Sequence, residues 1–542
     1  MTVPAAPLTR WWGWGDPSKS PELGDGALAM LRELAGAPDP AGRVELEEVG
    51  CPDPRPLPRA VLEAVSEHAV LDGREHRIRR AAGQSYPDLV RMRAGRLRDA
   101  PDAVVLPGTA EEVAAVLRAC AAEGVAVVPF GGGTSVVGGV APIRASFEWL
   151  IALDLRRLRH VEVDHTSLTA RLGPGLRGPE AEGALGAMGL TLGHFPQSFE
   201  YATVGGFAAT RSAGQASSGY GRFDEMVTAV RLAAPAGELA TLDIPHTAAG
   251  PSLRELVVGS EGVLGVITDV GVRVRPAPQA RRYEAWMVGG FREGFDAIRE
   301  LAQQGALADV TRLSDEAETS VSLGLAGVTG ARRTALNAYL RLRRRSGGCL
   351  VICGWEGEGA TVERRRAVSV RILRRGGAVS LGEGPGRSWL EGRYEGPYLR
   401  EALLDLGYMV ETLETAHTWS ALASHYEAVG GAIARALERG GGRGYVMCHL
   451  SHAYPDGASL YFTFLAPRRE GAEIDQWREV KAAACEAIVR SRGTITHHHA
   501  VGRDHAPYMA AEVGQLGIGA LQALKERLDP AGIMNPGKLL LA

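Results

Sequence analysis

The run Val128–Gly139, VPFGGGTSVVGG, breaks a β-branched stretch into three glycines, a Thr-Ser pair and, two valines later, two more glycines. So little side-chain bulk leaves backbone N–H groups bare, and a turn of this kind lets an anion approach them closely. A helix signal precedes it: Thr109-Ala-Glu-Glu112 reads as a capping box opening an amphipathic stretch through Val113, Val116, Leu117 and Cys120. Helix, strand and glycine turn in that order predict a cofactor carrying a diphosphate. No Gly-Lys-Ser/Thr follows the glycines, so the turn is not a P-loop. Nor does it give GxGxxG opening a helix, as a dinucleotide-binding fold requires.

Two later segments share this character: Pro196-Gln-Ser198-Phe-Glu200-Tyr-Ala-Thr203-Val-Gly205-Gly206, continued by Thr210-Arg211-Ser212-Ala-Gly214, and Gly259-Ser260-Glu261-Gly262-Val-Leu-Gly265-Val266-Ile267-Thr268. Each mixes glycines with hydroxyls, so backbone can approach a planar ligand while Ser and Thr bond its edges. Around them, 542 residues imply several domains. A helical N-terminal region spans 1–97 and includes Trp11-Trp12-Gly-Trp14, expected to be a packing clamp. An α/β region follows over 98–278, then a strand-and-helix region over 279–490 and a Gly/His-rich C-terminal segment over 491–542. A formal charge of −3 argues against nucleic acid as a partner. The Arg341–Arg345 and Arg364–Arg366 clusters read as solvated helix faces. Six cysteines without zinc spacing fit a reduced compartment, with Cys349 and Cys353 expected to be buried. No apolar stretch approaches the ~20 residues of a membrane span, and no secretory signal is seen, so a cytoplasmic location is expected.

In order and spacing, the three segments together with Asn535-Pro-Gly-Lys538 resemble the FAD-binding domain of the vanillyl-alcohol-oxidase-like flavoproteins. The resemblance implies an α+β fold in two subdomains: an FAD-binding domain and a cap built on an antiparallel sheet, preceded by the helical N-terminal segment. It implies FAD contacts from Pro129, Gly131, Gly132, Gly133, Thr134 and Ser135 in the first loop. Pro196, Ser198, Thr203, Gly205, Gly206, Thr210 and Ser212 would follow along the flavin ring, with Glu261, Gly262, Val266 and Ile267 on the adenine side. Many relatives tether the flavin through a loop histidine; Thr134 and Ser135 stand here instead, so non-covalent FAD is expected.

A narrower resemblance, running nearly end to end, is to the alkyldihydroxyacetonephosphate synthase family. It is carried by Trp12-Gly-Trp14-Gly, Gly193-His194-Phe-Pro-Gln-Ser, Thr311-Arg312-Leu-Ser-Asp315, Tyr398-Leu-Arg400 with Glu411–Thr415 and Trp419, Leu460-Tyr461-Phe462-Thr-Phe464, and Thr496-His497-His498-His499. The implied reaction replaces the acyl chain of acyl-dihydroxyacetone phosphate with a long-chain fatty alcohol, without net redox, the flavin N5 capturing the carbon that loses its carboxylate. The resemblance makes Tyr461, His498 and Arg400 the catalytic candidates. Arg312, Arg400, His497 and His499 would bind substrate, since an arginine fork suits phosphate or carboxylate. Tyr461 would act as acid/base if its pKa is lowered or a histidine relays the proton. Read as a strand, the triplet points His497 and His499 one way and His498 the other, so only one face can meet the flavin and no single metal ion can take all three, and the resemblance favours His498 at the flavin. His194, His449 and His505 are read as mainly structural or as supports behind the residues that contact ligand. The family also suggests peripheral membrane contact, at the inner membrane surface of a bacterial cell, and a homodimer.

The chain departs from the family's pattern at several points. The peroxisomal targeting extension of animal members is not seen, His449 stands where an arginine-bearing strand start is expected, and Thr463 replaces a more typical aromatic. The alternative is an FAD-linked D-2-hydroxy-acid or D-lactate dehydrogenase. Gly493–Gly502 parallels their GTISGEHGxG segment, but His497-His498 replaces Gly-Glu, and Tyr461 stands where those enzymes place a metal-binding histidine.

Overall fold

The computed structural model describes residues 9–97, 99–325, 330–439 and 443–540. The apolar runs around the glycine turn become short strands: β1 (Val70–Leu71), β2 (Ala103–Val105), β3 (Val125–Phe130) and β4 (Trp149–Asp154). They form one sheet in the order β1-β2-β4-β3, with β4 parallel to both β2 and β3. Residues 103–106, 125–128 and 150–153 are almost wholly buried, as strands covered on both faces must be, which is why they read as continuous rather than alternating apolar runs. The Ala110–Glu123 helix packs on this sheet through Val113, Val116, Leu117 and Cys120. Thr109 caps it by accepting from the Glu112 amide, but the Glu112 carboxylate accepts from Gly108 rather than Thr109. The box is therefore displaced by one residue.

β5 (Val161–Asp164), β6 (Thr169–Leu172), β8 (Val227–Ala234), β9 (Gly237–Ala240) and β10 (Val266–Arg273) form an antiparallel sheet in the order β5-β6-β10-β8-β9, while β7 (Leu190–Thr191) pairs with β11 (Arg275–Pro276). The C-terminal segment returns to this half of the molecule. Val127 donates its amide to Ile533 and accepts from Asn535, so residues 533–535 lie alongside β3. The Asn535 side-chain amide then donates to the carbonyls of Gly139 and Glu261, joining the first and third glycine segments.

The cap is an antiparallel sheet of seven described strands, β12 (Ala280–Val288), β13 (Val310–Ser314), β14 (Cys349–Gly357), β15 (Val379–Gly382), β16 (Tyr408–Thr418), β17 (Tyr445–Ala453) and β18 (Gly457–Pro467), in the order β15-β12-β14-β13-β17-β18-β16. Alternation along β18 sends Leu460, Phe462 and Phe464 into the core, against the helices Phe291–Gln303, Trp419–Arg439 and Glu473–Arg490. Tyr461 and Thr463 therefore point to the opposite face. Cys349 and Cys353 are buried in the same core.

The N-terminal region wedges against both halves. Trp11 and Trp14 are buried, and Trp14 meets Tyr201 edge-on at 5.3 Å, which is the packing role expected of the tryptophans. Arg93, on the Tyr86–Arg93 helix, forms a buried pair at 2.7 Å with Glu401 on the Gly396–Asp405 helix of the cap. One sequence expectation fails here. Arg365 pairs with Asp309 at 2.9 Å, and Arg366 pairs with the buried Glu284, so that cluster braces cap acids rather than forming a solvated face. Asn535→Ala deletes two hydrogen bonds to carbonyls and is expected to destabilise the protein by about 1–3 kcal/mol. The check is thermal melting of the FAD-loaded protein. An unchanged melting temperature would show that backbone pairing with β3 is enough to hold the segment.

Candidate active site

Strand register assembles the polar centre of the cap. His449 on β17 lies opposite Tyr461 on β18, and Tyr461 lies opposite Glu414 on β16. Their neighbours Cys448, Leu450, Leu413, Leu460 and Phe462 are all core residues, so this row occupies the face turned away from the helices. The His449 and Tyr461 rings stack at 4.7 Å. His449 Nδ1 lies 3.0 Å from Arg312 Nη2 and 3.1 Å from Glu318, and Arg312 pairs with Glu318 at 2.7 Å. Burial pulls the His449 pKa down, assisted by Arg312. Burial works to raise that of Glu318, but His449 and Arg312 hold it well below the carboxylate range. The position whose departure from the family pattern put the local network in question thus builds a closed network of its own. Arg312, expected on substrate, is engaged with Glu318 and His449.

Glu414 is buried and draws in the histidine triplet. Its carboxylate accepts from the Thr496 hydroxyl at 2.6 Å, from the backbone amides of His498 at 3.0 Å and His499 at 2.7 Å, and from that of His497. Burial opposes its ionisation, but the surrounding histidines and Thr496 keep its pKa well below the usual carboxylate value. Residues 494–500 consequently form a loop rather than a strand, and the expected alternation does not apply. His498 and His499 both approach Tyr461, with ring centroids 6.1 and 5.3 Å away. His497 Nδ1 is 3.1 Å from His498 Nδ1, and its Nε2 is 2.8 Å from the Tyr454 hydroxyl. Burial lowers the pKa of all three imidazoles, that of His499 to about 3, so they are neutral at physiological pH.

Burial also pushes Tyr461 up to about 12, with Thr412 and Arg400 acting in the opposite direction. The lowered tyrosine pKa that base catalysis would need is therefore not found. Arg400 sits on the Gly396–Asp405 helix and donates through Nη1 to the Gln84 carbonyl at 2.8 Å. Gln84 in turn donates its amide to Ser135 of the glycine loop at 2.6 Å. Among the described residues, the Arg400 Nε and Nη2 atoms have no hydrogen-bond partner, and both are sealed from solvent.

The glycine loop lies tightly against the middle segment. A Cβ on Gly131 would fall 2.4 Å from Thr203 Oγ1, one on Gly132 would fall 2.1 Å from the Tyr201 carbonyl, and Gly133 has φ +68°. Gly131–Thr134, Tyr201 and Thr203 line a cleft of about 560 Å³, walled by Trp11, Gly13, Trp14 and Gly15 and carrying Arg156, Arg159 and Arg177. Bare amides in the cleft fit a diphosphate, while Arg156 is paired with Asp154, and Arg159 and Arg177 are paired with Glu180. Other expected contacts have local duties. Thr203 caps the Val204–Ala209 helix, Thr210 bonds back to the Gly206 carbonyl, and Ser212 bonds His194. The Glu261 carboxylate accepts from the Val501 and Gly502 amides, and burial raises its pKa to about 7. The Val266 and Ile267 side chains belong to the core. His194 and His505 are buried, His194 against Phe207 and Phe223, His505 on the Ala500 carbonyl.

Sequence reasoning passed over Glu414, Glu318, His452 and Tyr454. Glu414 carried a readable signal, an acid inside a strand with apolar neighbours, which a buried carboxylate must compensate with partners. The others gather only through cross-strand register and loop placement.

A family model described as "FAD binding domain" matches residues 101–243, and one described as "FAD linked oxidases, C-terminal domain" matches residues 277–539. The alkyldihydroxyacetonephosphate synthase of Dictyostelium discoideum is 31% identical over 98% of this chain and 93% of its own. The chain belongs to the alkyldihydroxyacetonephosphate synthase family. A solved alkyldihydroxyacetonephosphate synthase structure superposes with a TM-score of 0.85 at 28% identity, covering 98% of each chain. A 4-ethylphenol oxidase from Gulosibacter chungangensis shares the fold at a TM-score of 0.67 and 15% identity, over 89% of this chain and 96% of its own. This family member has the two-subdomain flavoprotein fold expected of it, and it is an enzyme that uses FAD. Gly132→Ala would drive a methyl into the Tyr201 carbonyl and is expected to strip flavin from the protein. The check is flavin absorbance per chain after gel filtration; wild-type flavin content would remove Gly132 from the cofactor cleft.

Proposed function

We propose that the enzyme replaces the acyl chain of acyl-dihydroxyacetone phosphate with a long-chain fatty alcohol, forming an ether bond without net redox. The observation that carries this reading is Arg400. A guanidinium whose Nε and Nη2 are buried and unpartnered is costly unless an anion completes it. The substrate offers two such anions, its phosphate and the departing carboxylate, and an arginine fork bonds either in bidentate fashion. Relatives named for this synthase activity support the same assignment.

FAD would be held without a covalent tether by Gly131, Gly132, Gly133, Thr134 and Ser135 and by the Pro196–Ser212 segment. When bound, it supplies the centre that holds the sugar-phosphate carbon between departure of one chain and arrival of the other. The protein's own groups then manage protons and charge. His498, kept neutral by burial, accepts the proton lost from that carbon. Tyr461, kept protonated by burial, donates to the oxygen on which negative charge gathers. The stacked His449 ring fixes the tyrosine, and Arg312 with Glu318 fixes His449. The Glu414 clasp holds His498 in reach. No described helix is long and apolar enough to cross a membrane. The lipid substrates would instead be gathered at a membrane surface, for which the exposed Leu242, Ile244, Leu253 and Leu256 on one stretch of chain are suited.

The test uses FAD-loaded protein with palmitoyl-dihydroxyacetone phosphate and deuterated hexadecanol, followed by mass spectrometry. Deuterated alkyl-dihydroxyacetone phosphate with matching free palmitate is expected; no ether product from flavin-loaded protein rejects the proposal. Tyr461→Phe is expected to lower kcat by about 10²-fold or more with flavin retained, whereas Arg400→Gln should act mainly by raising KM for the phosphate substrate. The pH profile carries a sign. A base that must be neutral, with its pKa depressed by burial, loses activity only as pH falls through that lowered value, so the acid limb of kcat/KM should lie below the ordinary histidine value of about 6.5. An acid limb above 7 would contradict His498 as the base.

A further inference from the structure

Behind Tyr461 lies a group of imidazoles that the proposed reaction does not fully employ. His452, at the end of β17, meets His497 in a stack at 5.2 Å and His498 edge-on at 5.1 Å. One ligand atom from each of the three lies within 4.8 Å of the other two. The His497 and His498 Nδ1 atoms are only 3.1 Å apart. Two nitrogens on one zinc tetrahedron, each about 2.0–2.1 Å from the ion, stand about 3.3–3.4 Å apart, so this pair already has nearly the spacing of a shared ion. His452 Nδ1 is buried and has no hydrogen-bond partner among the described residues. The Tyr454 hydroxyl at His497 Nε2 supplies the outer partner that fixes a ligating imidazole with its Nδ1 turned inward. Glu414, next to His498, offsets the charge of a cation, and Arg222, the nearby positive group, is paired with Asp224 at 3.0 Å.

We propose that His452, His497 and His498 form a site for one borderline divalent ion of the zinc class, and that its occupancy withdraws His498 from proton transfer. Ligation through Nδ1 moves the one ring proton of His498, shared with His497 Nδ1, to its own Nε2, so no proton is lost and the lone pair that a base requires is occupied. The regulatory half rests on His498 acting as the base in the proposed function; the ion site itself does not.

The experiment takes FAD-loaded full-length protein, freed of metal by dialysis against chelator, and titrates it with zinc chloride by calorimetry. One equivalent is expected to bind. His452→Ala and His497→Gln should each weaken binding at least tenfold, with the flavin spectrum reporting that the fold is kept. Tyr454→Phe, which removes only a hydroxyl, should weaken binding by about 10-fold or more and covers the case in which a histidine variant fails to fold. Wild-type protein that takes up no zinc, or uptake that none of these variants weakens, overturns the site. In parallel, one equivalent of zinc should suppress turnover of wild type in the ether-forming assay, with weaker suppression in Tyr454→Phe. Full zinc occupancy with unchanged turnover would keep the site and overturn the withdrawal of His498 together with its role as base.

Discussion

One buried carboxylate holds the centre of this enzyme together. Glu414 sits on the cap sheet, yet most of its hydrogen bonds come from a loop more than eighty residues away in sequence: the amides of His497, His498 and His499 and the hydroxyl of Thr496. A charge out of water must be satisfied by donors, and backbone amides do so without bringing a competing cation. The clasp therefore decides where three imidazoles stand relative to Tyr461. Without it the loop would have no reason to leave an extended path. Two residues beyond the triplet, Val501 and Gly502 donate to Glu261 of the FAD-binding half, so the same short loop bridges both halves of the molecule.

A second bridge works from the opposite side. The N-terminal tryptophans pack onto Tyr201, Arg93 locks to Glu401, and Gln84 links Arg400 to the Ser135 carbonyl through its backbone. The free donors of Arg400 and the glycine loop are thereby positioned by a common neighbour. The glycine loop and Arg400 are thus joined through one peptide unit, that of Gln84. The network Arg312–Glu318–His449 serves similarly on the cap, orienting a ring against which Tyr461 stacks. These groups act on each other rather than on solvent, and the low polarisability of their surroundings is what keeps the histidines neutral and the tyrosine protonated.

Much of the architecture could be read directly from the chain, because local chemistry carries it. Thr109 before an apolar-periodic run had to begin a helix. The glycines at 131–133 had to form a turn that admits no side chain, and the strand Leu460–Phe464 had to place Tyr461 opposite its aromatic neighbours. The resemblance to a flavoprotein family added the cofactor, and the candidate tyrosine, arginine and histidine follow from motif order. What failed was inference that extended local periodicity beyond its reach. The histidine triplet was read as a strand because adjacent residues alternate in one, but the Glu414 clasp imposes a loop. The Arg364–Arg366 cluster was read as solvated because basic helices commonly are, but Asp309 and Glu284 lie beneath it.

The sequence by itself determined the helix after Thr109, the glycine turn and the face to which Tyr461 points, since each depends on residues near one another or on the alternation of a strand, while the flavin came from the resemblance. Only the tertiary structure decided which charges meet. Strand register placed His449 and Glu414 on either side of Tyr461, burial raised the Tyr461 pKa instead of lowering it, and chain return set His497 and His498 beside His452. Proton affinities and ligand geometry depend on desolvation and on partners distant in the chain, and neither quantity exists until the chain has packed.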